Sequence, residues 1–275
     1  MISAIIVNHN SEEHLRRCLK SLIRPGVEIE VLVVDNASSD GSLGLVREVF
    51  PEARVFEQDR NLGFGAANNI AANEARGESL LLINADAWLE AEALQRLHQH
   101  LQRDDRLALV APTLLYPDGR RQFVWSPERG VAGEALQQLR NPFENSRWAH
   151  GAAIRTVSRL AGRLWFTAAC VLVRTEAFRA VGGFDETFFM YFEDVDLCVR
   201  LEKAGWGLAQ EPGAVVRHAG GFSKHPQVDD VYRPSQLRYY ALHRPSWEAR
   251  FVEGRLRRRY GDTAVDGWLR NGGGP

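Results

Sequence analysis

Four stretches of the 275-residue chain place asparagine or aspartate at the end of a short strand-like run: Asn8-His9-Asn10, Asp35-Asn36, Asp59-Arg60-Asn61 and Asn84-Ala85-Asp86. Amides and carboxylates in such positions can hydrogen-bond a polar ligand, and a carboxylate with a few further oxygens can hold a hard divalent cation. A second group lies far downstream, where Phe192-Glu193-Asp194-Val195-Asp196-Leu197 opens a helical pattern and His218 precedes Ala219-Gly220-Gly221-Phe222-Ser223. Asp194, Leu197, Cys198 and Leu201 fall at i, i+3, i+4 and i+7, so Asp194 continues an apolar stripe at the start of its helix. A carboxylate aimed inward beside a crevice is positioned as a general base. The other reading is a first-turn carboxylate favoured by the helix dipole.

Each candidate has a plainer reading beside it. Asp35 can accept from the imino or amino group of a nucleobase, or it can cap the Ser38-Ser39-Asp40-Gly41 turn that leads into the next helix. Arg60-Asn61-Leu62-Gly63-Phe64-Gly65-Ala66-Ala67-Asn68 resembles a dinucleotide fingerprint, but Asn68 stands at the third glycine and the preceding strand is not the first. What remains is a glycine-rich helix start, which lets backbone approach a diphosphate. Asp86 is presented by the most apolar strand, Leu80-Leu81-Leu82-Ile83, although a surface turn would look the same. Glu193 and Asp196 have Arg200 at i+7 and i+4 and read as the solvated face of their helix. Phe188 to Phe192 reads as a core wedge or a sugar platform, core being the commoner fate. His218 alone reads as a structural histidine as readily as a metal ligand.

The elements that must position these residues follow from periodicity. Strands are expected at Ser3 to Val7, Ile29 to Val34, Arg54 to Glu57, Ser79 to Ile83 and Leu107 to Ala111. Helices are expected at Glu12 to Ile23, Ser42 to Val49, Gly65 to Ala75 and Glu90 to Leu101. The alternation predicts an α/β fold with a mostly parallel sheet covered on both faces, whose strand ends converge on one crevice. Beyond Pro112 a hairpin around Pro117-Asp118-Gly119 precedes a long aperiodic stretch. Between 117 and 165 eight arginines face four acids. A strand-like run at Phe166 to Val173, a short helix, a helix at Glu193 to Ala204 and short strands at Gly207 to Gln210 and Ala214 to Arg217 complete the pattern. From Arg233 to Arg259 eight arginines face only Glu248 and Glu253.

The net charge of −1, with 45% hydrophobic and 25% charged residues, excludes a disordered chain, a collagen-like repeat and a strongly basic nucleic-acid binder. No nucleic-acid partner is expected. Apolar runs such as Ala168 to Val173 are far short of the ~20 residues of a spanning helix. The start of the chain has no basic leader segment, and no signal peptide is expected. Cys18, Cys170 and Cys198 suit neither a disulfide framework nor a zinc site, which points to a reducing, cytoplasmic setting.

Taken in register, five motifs resemble the family-2 inverting glycosyltransferases of GT-A fold, in particular their rhamnosyltransferase-like branch. They are Ile5 to Asn10, Val33 to Ser42, Asn61 to Asn68, Asn84-Ala85-Asp86, and Gly183-Phe184-Asp185-Glu186 with Phe192 to Leu197. The resemblance spans Ile2 to about Ser223. It implies a glycosyltransferase domain over 1–222, with a nucleotide-sugar half (1–112) and an acceptor and catalytic half (113–222), followed by a basic helical extension (223–275). It implies that Asp35 binds the base with the Val7 and Asn8 backbone beside it, that Asn61, Gly63 and Phe64 line the diphosphate and sugar, and that Asn36, Asn68 and Asn84 belong to the same nucleotide-sugar site. Asp86 and His218 become ligands of Mg2+ or Mn2+, with Asn84 at the first position of the family's Asp-X-Asp motif, and Asp194 becomes the catalytic base.

The expected donor is dTDP-rhamnose, with UDP- or GDP-linked sugars as alternatives on the same scaffold. The expected acceptor is a glycan or polyprenyl-diphosphate-linked glycan in cell-surface polysaccharide assembly, met by the arginine-rich 117–165 loop. The Arg233 to Arg259 tail would touch anionic headgroups at the inner face of the cytoplasmic membrane. A nucleotidylyltransferase would open on a glycine-rich signature that Asn8-His9-Asn10-Ser11 does not offer. A non-enzymatic nucleotide-sugar binder would need neither Asp194 nor His218.

Overall fold

The structure is a computed structural model and describes residues 1–23, 26–127, 130, 164–220 and 228–271. Its strands are β1 (Ile2–Asn8), β2 (Ile29–Asp35), β3 (Arg54–Glu57), β4 (Ser79–Asn84), β5 (Ala87–Leu89), β6 (Leu107–Leu115), β7 (Trp125–Pro127), β8 (Leu164–Phe166), β9 (Cys170–Arg174) and β10 (Gly207–His218). Its helices are α1 (Glu12–Ser21), α2 (Ser42–Val49), α3 (Phe64–Glu74), α4 (Ala93–Leu101), α5 (Thr175–Ala180), α6 (Glu193–Lys203), α7 (Val228–His243), α8 (Ser246–Tyr260) and α9 (Asp262–Asn271).

Eight strands form one sheet in the order β3-β2-β1-β4-β9-β6-β10-β5. The pairs from β3 to β4 are parallel, as is β6 with β10, whereas β9 runs antiparallel to both neighbours and β5 antiparallel to β10. Successive residues of β1, β4 and β9 are buried on both sides of the strand, as a sheet covered on two faces requires. The register Asn8↔Asp35 and Val7↔Asn84 brings the polar ends of β1, β2 and β4 to one edge of the sheet. This is the mostly parallel α/β architecture expected from the alternating periods.

Several local expectations need correction. The helix expected from Glu90 begins at Ala93, because Ala87–Leu89 pairs with Val216–His218 as a short edge strand and Glu92 turns the chain at φ +61°. The two short strands at 207–210 and 214–217 are one strand, interrupted by a register shift between Gln210 and Val215. The run from Phe166 to Val173 is split into β8 and β9, and the Thr167 to Ala169 backbone between them turns toward the strand ends. The acidic positions Glu193 and Asp196 are not on a solvated face: they are 6% and 2% exposed. Asp196 accepts from Arg200 Nε and His243 Nε2, both at 2.7 Å, so its second partner comes from α7 rather than from its own helix.

A second apolar cluster joins the segment before α6 to the C-terminal helices: Phe188, Phe192, Val195 and Val199 pack with Leu237, Tyr239, Tyr240, Val252 and Leu256. The boundary expected at 222 and most of the arginine-rich stretch between 117 and 165 lie outside the described residues. Among those described, no helix is long and apolar enough to cross a membrane, and all three cysteines are buried and free.

Candidate active site

The ends of β1, β2 and β4, the start of α3, the turn before α6 and the end of β10 enclose one open cleft of about 980 Å³. Of the residues expected there, Val7, Asn36, Asn61, Gly63, Phe64, Asn84, Asp86, Asp194 and His218 all line it. Asn8, Asp35 and Asn68 do not. Asn8 donates through Nδ2 to Asp35 Oδ1 (2.8 Å) and Ser38 Oγ (2.9 Å), and Ser38 N–H donates to Asp35 Oδ2 (3.0 Å). With Asp35 only 2% exposed, this pair stitches β1 to the loop after β2 just under the rim. Asn68 closes on the Phe64 carbonyl (2.9 Å), within its own helix.

The glycine loop is held by side-chain amides. Asn36 Nδ2 donates to the Gly63 carbonyl (3.0 Å), Asn36 Oδ1 accepts from Leu62 N–H (3.3 Å), and Asn61 Oδ1 accepts from Gly63 N–H (2.9 Å). Gly63 has φ +85°, and a Cβ there would sit 2.2 Å from the Phe189 carbonyl oxygen. The same oxygen accepts from Phe64 N–H at 3.0 Å. Both the left-handed conformation and the close approach of two backbones therefore require glycine.

Asp194 lies in the first turn of α6, and its carboxylate accepts from Val195 N–H (2.8 Å) and Ala168 N–H (3.3 Å). The break between β8 and β9 supplies the second of these donors. Tyr191 and Phe192, immediately before the helix, have φ of +67° and +66°. Two consecutive non-glycine residues in the left-handed region are sterically costly and persist only where packing over-determines them. Here the packing is the buried Phe192 ring against Tyr232 and Tyr239 of α7. Glu193 is buried, and its Oε2 has no hydrogen-bond partner among the described residues. Burial first, and then the charges of Asp194 and Asp196, push its carboxyl well above the ordinary carboxylate range.

In the same cleft His218 Nε2 is 3.2 Å from Asp86 Oδ1 and 3.4 Å from Asn84 Nδ2, and Gly220 N–H donates to Asp86 Oδ2 at 3.0 Å. Burial alone would raise the Asp86 carboxyl; the hydrogen bond and charge of His218, with the Gly220 amide, outweigh it and hold the group below its usual range. One carboxylate oxygen and one imidazole nitrogen facing an open cleft fit a Mg2+ or Mn2+ ion whose other ligands come from a diphosphate and water, Mn2+ being the more tolerant of nitrogen. No cluster of three or more histidine, cysteine or acidic ligands occurs among the described residues, so these two side chains are not a self-sufficient metal cage.

Sequence reasoning missed several lining residues. Glu13 and His14 face the cleft from α1, where no site residue was expected, and Thr167 to Ala169 carried no motif. Phe189, Met190 and Tyr191 of the aromatic run line the cleft, whereas Phe188 and Phe192 are core. Asp230 and Val231 reach it from α7, in the segment read as an extension. Part of the His218 motif, residues 221–223, lies outside the described residues.

A nucleotide-sized cleft at the carboxyl ends of parallel strands, lined by an aspartate and histidine and by a helix-borne carboxylate, is the arrangement of a GT-A glycosyltransferase. The model of glycosyl transferase family 2 matches residues 3–179, and the chain belongs to that family. N-acetylglucosaminyl-diphospho-decaprenol L-rhamnosyltransferase of Mycobacterium tuberculosis is 32% identical over 237 residues, covering 79% of this chain and 76% of that protein. Rhamnosyltransferase WbbL of Escherichia coli is 24% identical over 259 residues, covering 89% and 94%. Among solved structures, the mannosyltransferase PcManGT from Pyrobaculum calidifontis, in complex with GDP-Man and Mn2+, superposes with a TM-score of 0.62 at 17% identity, over 98% of this chain and 73% of that one.

Proposed function

We propose that the protein transfers a rhamnosyl residue from dTDP-rhamnose, with inversion, to a hydroxyl of a polyprenyl-diphosphate-linked glycan during cell-surface polysaccharide assembly. The observation that carries this is that Asp194, the Asp86 and His218 pair and the Gly63 loop line one and the same cleft. The 32% identity to a protein named as a rhamnosyltransferase acting on a diphospho-decaprenol-linked N-acetylglucosamine supports both the sugar and the acceptor class.

In this reading the Gly63 loop and the amides of Asn36, Asn61 and Asn84 orient the donor, and Asp35 with Asn8 shapes the floor under its base. Asp194 takes the proton of the acceptor hydroxyl while that oxygen forms a bond to the anomeric carbon and the bond to the nucleoside diphosphate breaks on the opposite face. The proton ends on Asp194, the electron pair on the diphosphate, and the anomeric configuration inverts. When bound, a Mg2+ or Mn2+ ion held by Asp86 and His218 neutralises charge on the departing diphosphate. No covalent intermediate is required, so the buried cysteines have no chemical part. A lipid-linked acceptor places the protein at the inner face of the cytoplasmic membrane, as a peripheral protein.

The test is a panel of nucleoside diphosphate sugars in thermal unfolding and transfer assays, with and without metal. dTDP-rhamnose is expected to raise the melting temperature most, by mass action on the folded state, and to be transferred with inverted configuration read by NMR. Equal or stronger stabilisation by a UDP- or GDP-linked sugar would overturn the donor, and retained configuration would overturn the mechanism.

A further inference from the structure

The eight arginines between 233 and 259 divide sharply by partner. Arg233 is paired with Asp229, Arg238 with Asp185, Arg244 with Glu248, and Arg257 with Glu253, Asp262 and Asp266. These hold the helices to one another and to the rest of the fold. Arg250, Arg255, Arg258 and Arg259 are exposed instead, and all four belong to α8. Of these, Arg250, Arg258 and Arg259 have no ion pair among the described residues.

On α8 the exposed and buried positions separate by helical period. Glu248, Val252 and Leu256 are buried against the C-terminal cluster. Trp247 and Phe251, at i and i+4, lie on the exposed side with Arg250 and Arg258 beside them. Trp247 is 58% exposed and Phe251 47%, and Leu242, in the last turn of α7, is 50% exposed. An outward row of tryptophan, phenylalanine and leucine between arginines has no role in the core and none in the cleft.

We infer that this face of α8 seats the protein on an anionic phospholipid surface, Trp247 and Phe251 entering the headgroup region while the arginines meet lipid phosphates. Aromatic side chains favour the membrane interface, and helices with basic and apolar residues on one side lie in its plane. Charge complementarity selects the lipid over a second copy of the chain, since a two-fold contact would set this arginine row against itself. The inference deepens the peripheral seat proposed above and rests on that reading for where the acceptor lies. It also gives the seat a direction, because α7, which packs on α8, carries Asp230 and Val231 to the cleft.

The purified full chain is sedimented with vesicles of phosphatidylglycerol and phosphatidylcholine in equal parts, and with phosphatidylcholine alone. Binding is expected to the anionic vesicles only. The double variant W247S/F251S should lower the partition coefficient roughly tenfold or more. R250Q and R258Q should each lower it about fivefold, with the remaining binding weakened by salt. Thermal stabilisation by the donor should stay at the wild-type value in every variant, so a failure of donor binding would count against the proposed reaction and a failure of vesicle binding against the seat. W247S/F251S binding as tightly as wild type would overturn the inference. So would a dimer, seen by sedimentation velocity, that this double variant dissociates while vesicles are ignored.

Discussion

The cleft wall formed at the ends of β1 and β2 is held by side chains that bond to the adjacent strand end or loop, whereas the wall that carries Asp194 depends on partners far away in the chain. On the first wall Asn8, Asp35, Asn36 and Asn61 bond to one another's strand ends and to the glycine loop. On the second, two left-handed residues, a buried acid and the first turn of α6 are kept in place by Ala168, by the aromatic rings of α7 and by His243 on Asp196. A donor site that must fit one rigid nucleotide suits the first construction. A catalytic carboxylate that must face a variable acceptor can be set by packing from a separate group of helices. The difference teaches that the two walls should fail differently when altered.

The largest expected effect is on the second wall. Asp194→Asn keeps the shape and, with its one amide oxygen, one of the two backbone donors, but removes the proton acceptor. Transfer should fall by on the order of 100-fold or more, while urea unfolding and donor binding stay near wild type. A turnover close to wild type would remove the base assignment, and a loss of donor binding would show that the walls are not separable.

Glu193→Gln examines the same wall through stability. The ordinary carboxyl value is 4.5, and burial, with Asp194 and Asp196 next, raises it in the folded chain. A raised carboxyl means that the folded state holds the proton where the unfolded state has released it. Its contribution is fully present below the ordinary value and is lost as pH rises from there toward the folded value. Glutamine is neutral at every pH, so E193Q should remove that part of the decline and be more stable than wild type at neutral pH. Urea midpoints from pH 4 to 8 check it; parallel wild-type and variant curves would show that Glu193 is not held neutral.

These two acids also mark where the sequence stops being legible. The βαβ half was readable because each strand and helix carries its own period, and its functional residues sit at strand ends, which periodicity locates. Asn84 and Asp86 follow a run of aliphatic residues, which sets them at a strand end although it does not by itself tell a site from a surface turn. Glu193 and Asp196 were misjudged because Arg200 at helical spacing suggested a solvated row. What buries them is α7, and Asp196 is 47 residues from His243. Helix spacing reports neighbours on the same helix and nothing about what packs against it. The clamp of Asn36 on the Gly63 loop was invisible for the same reason, although both residues were identified individually. The short β5 strand escaped because three residues give no measurable period.

Gly63 is where the two walls touch, through the Phe189 carbonyl. Gly63→Ala places a carbon where 2.2 Å is available and forces a side chain into φ +85°. Relief requires either the glycine loop or the turn before α6 to move. The expected cost is about 1–3 kcal/mol in stability, accompanied by weaker donor binding and slower transfer together. A variant that lost only donor affinity would show that the second wall does not feel the first.

The smallest expected effect concerns how His218 is aimed. Gln122 donates through Nε2 to the His218 carbonyl at 2.6 Å, which leaves its Oε1 to accept from His218 Nδ1 at 2.8 Å. With both ends of the amide used in this way, Nδ1 carries a ring proton toward Gln122, and Nε2 is turned toward Asp86 Oδ1, where it donates to the carboxylate and where a metal ion would take that proton's place. A histidine ligand whose other nitrogen is fixed by an acceptor is oriented and made more basic, and loss of such an acceptor commonly weakens metal binding by 10- to 100-fold. Gln122→Ala should therefore raise the Mn2+ concentration for half-saturation, measured calorimetrically with nucleoside diphosphate present, by roughly tenfold. In a His218→Ala background the same substitution should change nothing further, because its whole effect passes through the ring. An equal effect in both backgrounds would mean that Gln122 supports the hairpin between β6 and β7 rather than the histidine, and the tie between this wall and the metal would be lost.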